Sequence, residues 1–316
     1  MKIVFLVYDS RSGSTFLSNL IMRYLDGVVV TPEIGLEYLI KVKSFSKLTP
    51  ELMLKRNYLR NLNLTKDEIS LLIRNSSSPY HLIINILNEF LKKTFPEQSS
   101  HTCIIKYGKH IFLWKNLLNV LGSDLKFIHI YRDPRAVINS KLKTIRPYYP
   151  FETFAWGGPL VAAYRWYQYM KEAENIKNAG VDIYEICYEN LLEQPEKELK
   201  KLSSYLGVEM ASFDLQKEYI IPTKERNIHN LVGKSPDKSR MNKWREELSL
   251  KDTLIIEAVL YSLMSKKGYY PLNNLTLLQR VFVIIKSIPS TIFKIARHFL
   301  YHLFKERLNN RILKNK

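Results

Sequence analysis

The chain has 316 residues, 46% of them hydrophobic and 25% charged, which is an ordinary composition for a globular protein with one large α/β domain or two small ones. Its two cysteines, Cys103 and Cys187, exclude a disulfide framework, and we expect buried thiols in a reducing compartment. The formal net charge of +18 favours an acidic partner: a phosphate-bearing nucleotide, an acidic glycan, nucleic acid or an anionic membrane surface.

The first thirty residues have the pattern of a βαβ unit. Residues 2–8 form a continuous apolar run, which predicts a strand buried on both faces. A polar turn follows at 9–14, apolar residues recur at helical spacing over 15–25, and Gly27 precedes a second strand at 28–30. This unit predicts a parallel sheet with a right-handed crossover. The apolar run is too short for a signal peptide, so we expect a cytoplasmic protein.

The remaining elements complete an α/β fold. Residues 35–100 carry helical patterns interrupted by Pro50, Pro79 and Pro96, and we expect a helical insertion on the acceptor side of the protein. Further strands are predicted at 103–106, 125–131 and 181–187, and further helices at 155–179, 195–206 and 250–267. The predicted fold is a central parallel β-sheet flanked by helices, within one domain over residues 1–271.

Residues 272–316 differ in composition from the rest of the chain. Apolar residues recur there at helical spacing, whereas nearly all the charged residues are Lys or Arg. Lys286, Lys294 and Arg297 interrupt the apolar runs, so no window resembles a membrane-spanning helix. We predict a basic amphipathic helix pair kinked at Pro289. It either packs on the domain or lies peripherally on an anionic membrane surface.

The turn after the first strand has the features of an anion-binding loop. Backbone N–H groups at the start of a helix point at one spot in such a turn. Ser12, Ser14 and Thr15 add hydroxyl donors, and Arg11 adds a charged fork of N–H groups. Gly13 allows the backbone to approach the anion closely. Helix capping alone explains one of these hydroxyls, but not three beside a glycine and an arginine.

A kinase-type phosphate loop is the main alternative for this turn. Its motif, G-x-x-x-x-G-K-[ST], requires glycine at position 8 and lysine at position 14 when Gly13 and Thr15 are aligned with it. The chain has Tyr8 and Ser14 at those positions. The lysine that would reach the β- and γ-phosphates is therefore missing, which disfavours ATP chemistry. A nucleotide or small-molecule kinase stays the alternative enzyme.

A second candidate anion site follows the strand predicted at 125–131. Arg132 comes directly after this strand, at the edge where open α/β sheets bind ligands. Pro134 suits the first turn of a helix, and Ser140 lies about two helical turns further on, on nearly the same face. Arg132 and Ser140 can therefore share one phosphate, the arginine through a charge-assisted bond. A helix start with a surface arginine is the alternative.

These two motifs together resemble those of the sulfotransferase family. The family's 5′-phosphosulfate loop has Lys or Arg followed by Ser-Gly-Ser/Thr-Thr, and its 3′-phosphate segment has Arg with Ser eight residues later. Residues 188–208 are similar to its YE-x-L … P … L-x-x-F-L-G block, and residues 229–244 to its late basic loop before a tryptophan. The resemblance covers residues 1–271 and implies a sulfotransferase fold of the P-loop-NTPase-like type.

The resemblance also implies the donor and the residues that bind it. The donor would be PAPS (3′-phosphoadenosine 5′-phosphosulfate), which leaves as adenosine 3′,5′-bisphosphate (PAP) after in-line displacement at sulfur. The 5′ end of the donor is assigned to Arg11, Ser12, Gly13, Ser14, Thr15 and Phe16, with Arg11 on the leaving phosphate. The 3′-phosphate is assigned to Arg132 and Ser140, with Gly233, Lys234 and Arg240 closing over it. This chemistry needs no metal, and we expect none.

The acceptor hydroxyl requires a general base, and Glu33 is the best candidate. Glu33 lies just past the second strand, and several glycan and tyrosine sulfotransferases carry a glutamate in a comparable place. A solvated carboxylate opening the next helix is the alternative role for Glu33. His110 is the rival base, because sulfotransferases for phenols and steroids use a histidine from a comparable loop. Lys106 is a candidate for stabilising charge in the transition state.

We expect the acceptor hydroxyl to belong to a glycan or glycoconjugate. Aromatic residues such as Tyr148, Phe151 and Trp156 can stack on sugar rings, although a core role is commoner for aromatic clusters. The basic tail fits an acidic or membrane-bound glycan. A basic nucleic-acid-binding protein is the alternative class. The chain lacks a recognition motif and concentrates positive charge only in its tail, so we expect no nucleic acid partner.

Overall fold

The computed structural model describes residues 1–41, 45–54, 59–96, 102–147, 149–211, 219–221, 223, 226 and 237–314, with the backbone alone at 60, 150, 151 and 304–314. The chain divides into two compact units. The first consists of Met1–Tyr131 and Tyr169–Asp237, and the second of Arg132–Gln168 and Lys238–Lys316.

The strands of the described residues are β1 (Lys2–Tyr8), β2 (Val28–Val30), β3 (Thr102–Lys106), β4 (Lys126–Tyr131), β5 (Ile145–Arg146), β6 (Tyr149–Thr153) and β7 (Asp182–Cys187). The helices are α1 (Ser14–Tyr24), α2 (Glu37–Lys41), α3 (Pro50–Leu54), α4 (Lys66–Arg74), α5 (Pro79–Thr94), α6 (Trp114–Leu121), α7 (Pro134–Lys143), α8 (Gly158–Asn178), α9 (Tyr188–Glu193), α10 (Pro195–Leu206), α11 (Trp244–Glu247), α12 (Leu250–Lys266) and α13 (Leu277–Lys314). Short 3-10 turns lie at Phe45–Lys47, Leu59–Leu62, Gly108–Leu113, Gly122–Asp124 and Lys238–Met241.

Five parallel strands form the core of the first unit, in the order β2-β3-β1-β4-β7. The central strand is β1, in which Leu6 is paired with Lys106 of β3 and Tyr8 with Ile130 of β4. Every residue of β1 after Lys2 is buried, because a parallel sheet is covered by helices on both faces. The predicted fold class, a central parallel sheet flanked by helices, is confirmed.

The strand order creates a switch point at the carboxyl ends of β1 and β4. The chain continues from β1 to β2 on one side of the sheet and from β4 to β7 on the other. Ligands of open α/β sheets bind outside the carboxyl ends of the strands at such a point. The turn after β1 therefore lies where this class of fold binds its ligands.

Between β2 and β3, the described residues form helices α2 to α5 and include no strand, as the interrupted helical patterns predict. Pro79 begins α5 directly after the capping residue Ser78, and Pro50 begins α3. A capping box at Thr65 and Glu68 begins α4. Two of the prolines that interrupt the sequence pattern thus mark helix starts. The role of this segment on the acceptor side stays a prediction.

A short antiparallel hairpin of β5 and β6 was not predicted from the sequence. It lies in the second unit between α7 and α8. The strand β5 has two residues, so it offers no alternation of polar and apolar side chains from which a strand could be recognised. The other predicted helices and strands are present with small shifts: the helix predicted at 155–179, for example, is Gly158–Asn178.

A buried ion network joins α7 and α12 within the second unit. Arg135 is 2.8 Å from Asp133, which caps α7, and 3.0 Å from Glu257 of α12. Glu257 is fully buried and also accepts hydrogen bonds from the backbone N–H groups of Leu272 and Asn273, at 2.9 and 3.1 Å. Because buried charges require such partners, this carboxylate fixes the segment that leads from α12 to α13.

The tail forms one helix, α13, instead of the predicted pair kinked at Pro289. Pro289 lies inside this helix, where a proline removes one backbone hydrogen bond. Nearby hydroxyls donate to backbone carbonyls: Ser287 to Ile284 at 2.7 Å, and Ser290 and Thr291 to Ser287 at 3.0 and 2.9 Å. The loss of one backbone hydrogen bond leaves fewer backbone polar groups unsatisfied than two additional helix ends would. The helix therefore continues through Pro289. The predicted domain division at residue 271 stays a prediction.

Gly13 occupies a position that only glycine fits. Its φ of +94° lies in the left-handed region, and it precedes α1 as the capping residue. A Cβ atom at Gly13 would lie 2.2 Å from Cδ2 of Tyr188, the first residue of α9. The ring of Tyr188 is buried and contacts the ring of Phe16 edge-on, with 6.2 Å between centroids. Tyr188 therefore packs directly against the turn that follows β1.

We expect Gly13→Ala to destabilise the protein more than Gly180→Ala. Both glycines have positive φ, +94° and +73°, so both substitutions introduce strain of about 1–2 kcal/mol. A Cβ at Gly180 would meet nothing within 4 Å, whereas at Gly13 overpacking adds about 1–3 kcal/mol. Urea denaturation of the two variants measures the difference in the free energy of unfolding. Equal losses would mean that the ring of Tyr188 moves aside without cost.

His110 is a core residue of the first unit. Its side chain is completely buried in the turn after β3, and its Nε2 accepts a hydrogen bond from the N–H of Leu36 at 3.1 Å. The rings of Phe5 and Tyr107 contact it edge-on, at 5.2 and 5.0 Å between centroids. Burial lowers the pKa of His110 to about 3, so the imidazole is neutral in the folded protein at ordinary pH.

The depressed pKa of His110 predicts a loss of stability in acid. In the unfolded chain a histidine titrates near pH 6.5, so the unfolded state binds a proton first as the pH falls. The neutral histidine therefore stabilises the fold above pH ~6.5, and this contribution declines toward pH 3, by up to about 1.4 kcal/mol per pH unit. His110→Gln keeps an acceptor for Leu36 and does not titrate. Denaturant titrations between pH 7 and 4 should show a shallower decline for this variant, and an unchanged slope would contradict the assignment.

Candidate active site

The turn after β1 leaves a buried hydroxyl group available to a ligand. Ser12 is completely buried, and its Oγ has no hydrogen-bond partner among the described residues, although its N–H donates to the carbonyl of Asp9 at 3.2 Å. A buried polar atom of this kind is costly unless a ligand satisfies it. Together with the backbone conformation of Gly13, it fits an anionic group bound at the start of α1.

Arg11 adopts a backbone conformation that is unfavourable for any residue except glycine. Its φ is +73°, and its side chain is half-buried. Non-glycine residues in the left-handed region cost about 1–3 kcal/mol and concentrate at ligand-binding sites. The sequence identified Arg11 by its charge. The structure adds that its backbone is strained in the same turn that contains the Ser12 hydroxyl, for which the described part of the chain offers no hydrogen-bond partner.

Lys106 is a buried cation beside this turn. It is the last residue of β3, its side chain is 2% exposed, and its Nζ donates to Thr15 Oγ1 at 3.0 Å and to the hydroxyl of Tyr219 at 3.1 Å. The same Nζ lies 4.3 Å from the ring centroid of Tyr219. A buried ammonium is expensive to maintain without hydrogen-bond acceptors such as these. The first turn of α1 therefore lies in a positive field that favours a negatively charged ligand.

Glu33 is held at the same edge of the sheet by a tyrosine. The hydroxyl of Tyr8, the last residue of β1, donates to Glu33 Oε1, and the Lys106 Nζ lies 5.8 Å from the Tyr8 ring centroid. Burial is the largest cause that raises the pKa of Tyr8 well above its ordinary value, and the nearby Glu33 carboxylate is the second. This phenol therefore stays protonated. The side chain of Asn61 donates to the Glu33 carbonyl at 2.9 Å and fixes its backbone.

The structure thus brings together several residues that the sequence predicted for the reaction and two that it did not. Thr15, Lys106 and Glu33 were predicted and lie around the carboxyl ends of β1 and β3. Tyr8 and Tyr219 were missed as site residues. Tyr8 could have been identified from the sequence as the polar residue that ends a buried strand. No local pattern identifies Tyr219 as a site residue. His110 belongs to the core beneath this edge and has one ring nitrogen bonded to the backbone.

The residues predicted for the 3′-phosphate belong mostly to the second unit. Arg132 is buried, its guanidinium donates to the backbone carbonyl of Arg240 at 2.8 Å, and its own carbonyl accepts from the indole of Trp166 at 3.1 Å. Ser140 is half-buried in α7. Arg132 and Arg240 are therefore neighbours, as expected for one anion site. Gly233 and Lys234 lie outside the described residues, and the assignment of all five stays a prediction.

One side-chain cluster in the second unit has the composition of a metal site. Glu152 lies within 3.2 Å of both His298 and His302, and the three ligand atoms are within 4.8 Å of one another. Arg146 is bonded to the same carboxylate at 3.2 Å, and Arg297 lines the same cavity as His298. These cations oppose the binding of a further cation, so we assign the cluster to side-chain contacts between β6 and α13. The expectation of a metal-free reaction stays a prediction.

Comparison with known proteins agrees with this geometry. The model of the sulfotransferase family matches residues 4–212. The sulfotransferase domain of the olefin synthase from Synechococcus PCC 7002 is 19% identical, with a TM-score of 0.57 over 85% of this chain and 95% of that domain. The sulfotransferase domain from the curacin biosynthetic pathway is 17% identical, with a TM-score of 0.53 over 85% and 98%. No curated protein matches the chain. Because the family model covers more than half of its length, this chain belongs to the sulfotransferase family.

Proposed function

We propose that the protein transfers a sulfuryl group from PAPS to an acceptor hydroxyl. The observation that carries the proposal is the buried Lys106 ammonium bonded to Thr15, next to a turn in which the Ser12 hydroxyl has no partner among the described residues. A phosphate or phosphosulfate group fits both features, because its negative charge suits a site beside an ammonium and its oxygens can accept a hydrogen bond from the Ser12 hydroxyl. Membership of the sulfotransferase family supports PAPS over ATP as the donor.

The loop residues would bind the donor by its 5′ end. Backbone N–H groups at the start of α1 and the hydroxyls of Ser12, Ser14 and Thr15 would surround the phosphosulfate, with Gly13 leaving room for it. Arg11 and Lys106 would neutralise the charge that develops on the leaving phosphate and the sulfuryl oxygens. The predicted 3′-phosphate residues, Arg132, Ser140, Gly233, Lys234 and Arg240, remain part of this proposal.

Glu33 is the better candidate for the general base. Its carboxylate is half-buried and oriented by the Tyr8 hydroxyl on Oε1, which leaves Oε2 for an incoming hydroxyl. His110 is completely buried, and burial holds its pKa at about 3, far below the value suited to a base at neutral pH.

In the proposed step, the acceptor oxygen forms a bond to sulfur and its proton passes to Glu33. The bond from sulfur to the 5′-phosphate oxygen breaks, and PAP leaves.

We propose a glycan or glycoconjugate as the acceptor, as predicted from the aromatic residues and the basic tail. Trp156 lines a cavity of about 320 Å³ in the second unit, together with Tyr301, Lys294 and Arg297. This cavity combines aromatic faces with cations, which suits an acidic sugar. The ring of Trp156 is, however, stacked on His298 at 4.2 Å between centroids, so one of its faces is already covered. Screening sugars, oligosaccharides and phenols with radiolabelled PAPS identifies the acceptor class.

Donor binding is tested by PAP with two serine variants. At about 100 times its Kd, PAP should stabilise the protein by about 2.7 kcal/mol, whereas ATP should have little effect. Ser12→Ala removes a hydroxyl without a partner and should weaken PAP binding about tenfold at no cost in stability. Ser18→Ala is the control, since Ser18 Oγ donates to the Ser14 carbonyl at 2.8 Å; it should lower stability and leave PAP affinity unchanged. Thermal shift and calorimetry measure both quantities, and stabilisation by ATP alone would favour a kinase.

The general base is tested by replacing two glutamates that have the same kind of partner. Glu33 accepts from Tyr8, and Glu37, four residues later, accepts from Tyr107 at 2.8 Å. Glu33→Gln should reduce the single-turnover rate about 100-fold or more, because general-base catalysis contributes about 10²–10⁴. Glu37→Gln should keep a near-normal rate, and both variants should bind PAP normally. A near-normal rate for Glu33→Gln, or an equal loss in both variants, would exclude Glu33 as the base.

A further inference from the structure

The helix α13 packs with its polar side inward. Its two buried side chains in the described part are Ser287 and Thr291. The half-buried His298 and His302 lie on the same side, together with the half-buried Val283, Ile284 and Ile295. Globular proteins normally bury the apolar face of a surface helix and expose the polar one. The arrangement of α13 is the reverse.

The opposite side of α13 is a continuous apolar surface. Leu278, Ile285, Ile292 and Phe299 recur every seven residues, Phe282 and Phe293 lie eleven residues apart on the same side of the helix, and each of the six is more than half exposed. Leu278 and Phe293 are 82% and 68% exposed. Apolar surfaces of this extent on soluble proteins mark interaction sites. We call the surface formed by these six residues the apolar stripe.

Contacts within the second unit fix the orientation of α13. His298 Nδ1 lies 2.5 Å from Glu152 Oε1, and the His298 ring stacks on Trp156. Near the start of the helix, the Arg280 guanidinium lies 4.9 Å above the ring of Tyr261 in α12. Turning the apolar stripe inward would break these contacts and expose the buried Ser287 and Thr291. The stripe therefore faces outward as a consequence of the fold.

We propose that the apolar stripe lies in the interface of an anionic membrane, with α13 parallel to the surface. Lys286 and Arg297 are exposed and flank the stripe, where they would meet lipid phosphates. Residues 277–316 contain nine Lys and Arg and a single acidic residue, Glu306. This charge complements an anionic surface. It opposes a symmetric pairing of two copies through α13, which would place like charges together.

Peripheral attachment also agrees with the length and charge of the helix. Within the described residues, no helix combines the length and the hydropathy required to cross a bilayer. Lys286, Lys294 and Arg297 interrupt the apolar sequence of α13 at positions that a helix lying in the interface tolerates and a spanning helix does not.

The proposal is tested with the full chain and vesicles of phosphatidylcholine, with and without phosphatidylglycerol. We expect cosedimentation with the anionic vesicles that decreases at high salt. Phe282→Ser/Phe293→Ser should weaken partitioning about tenfold or more. Lys286→Gln should weaken it about fivefold, because one positive charge is removed. The control is Leu71→Ser/Ile145→Ser, since Leu71 and Ile145 are 50% and 55% exposed and lie outside α13. It should partition like the unmodified chain.

Two outcomes would overturn the proposal. One is equal partitioning of the stripe variant and the Leu71/Ile145 control, which would show that the stripe takes no part. The other is that the unmodified chain does not bind vesicles but self-associates, and that Phe282→Ser/Phe293→Ser abolishes this self-association. The apolar stripe would then contact a second copy of the chain. Sedimentation velocity detects that case. PAP binding is measured in parallel and should be the same in all variants, so a failure of membrane binding is distinguishable from a failure of the proposed sulfuryl transfer.

Discussion

The contact between the buried Lys106 ammonium and Thr15 is the interaction on which the candidate site depends. It joins the carboxyl end of β3 to the first turn of α1, two elements far apart in the sequence. Burying a cation is unfavourable in itself, and an anion bound at this turn would offset part of that cost. The Ser12 hydroxyl is buried in the same turn and has no hydrogen-bond partner among the described residues. Both features fit a site that binds an anionic ligand.

Much of this site could be predicted from the sequence because its parts follow strand ends. The buried run of β1, the turn at residues 9–13 and the strand before Lys106 are local patterns, and a parallel sheet brings the carboxyl ends of its strands to one edge. The contacts between side chains could not be predicted. The Tyr8–Glu33 pair and the approach of Tyr219 to Lys106 depend on strand register and on a loop without periodicity. Tyr188 packs on Gly13, and these two residues are also far apart in the sequence.

Burial supports the choice of Glu33 over His110 as the candidate base. Both residues follow a strand of the same sheet, and the sequence favoured Glu33 with His110 as the rival. In the structure His110 lies under the sheet edge, with Nε2 bonded to the backbone of Leu36 and a pKa lowered to about 3. Glu33 is half-buried and oriented by a phenol whose own pKa is raised, so the proton of that hydrogen bond stays on Tyr8. Access to a substrate favours Glu33. It depends on the tertiary structure and could not be predicted from a local stretch of sequence.

The same limit explains the tail. Helical periodicity in the sequence shows that residues after 276 form a helix with two contrasting faces. It does not show which of the two faces packs against the protein. Packing on the domain and contact with a membrane therefore looked like alternatives. The contacts of His298 with Glu152 and Trp156 hold this side of the helix against its own unit, and the apolar stripe is left exposed. The two alternatives are thus compatible: α13 packs on its own unit through one side, and the apolar stripe stays available for the membrane that we propose.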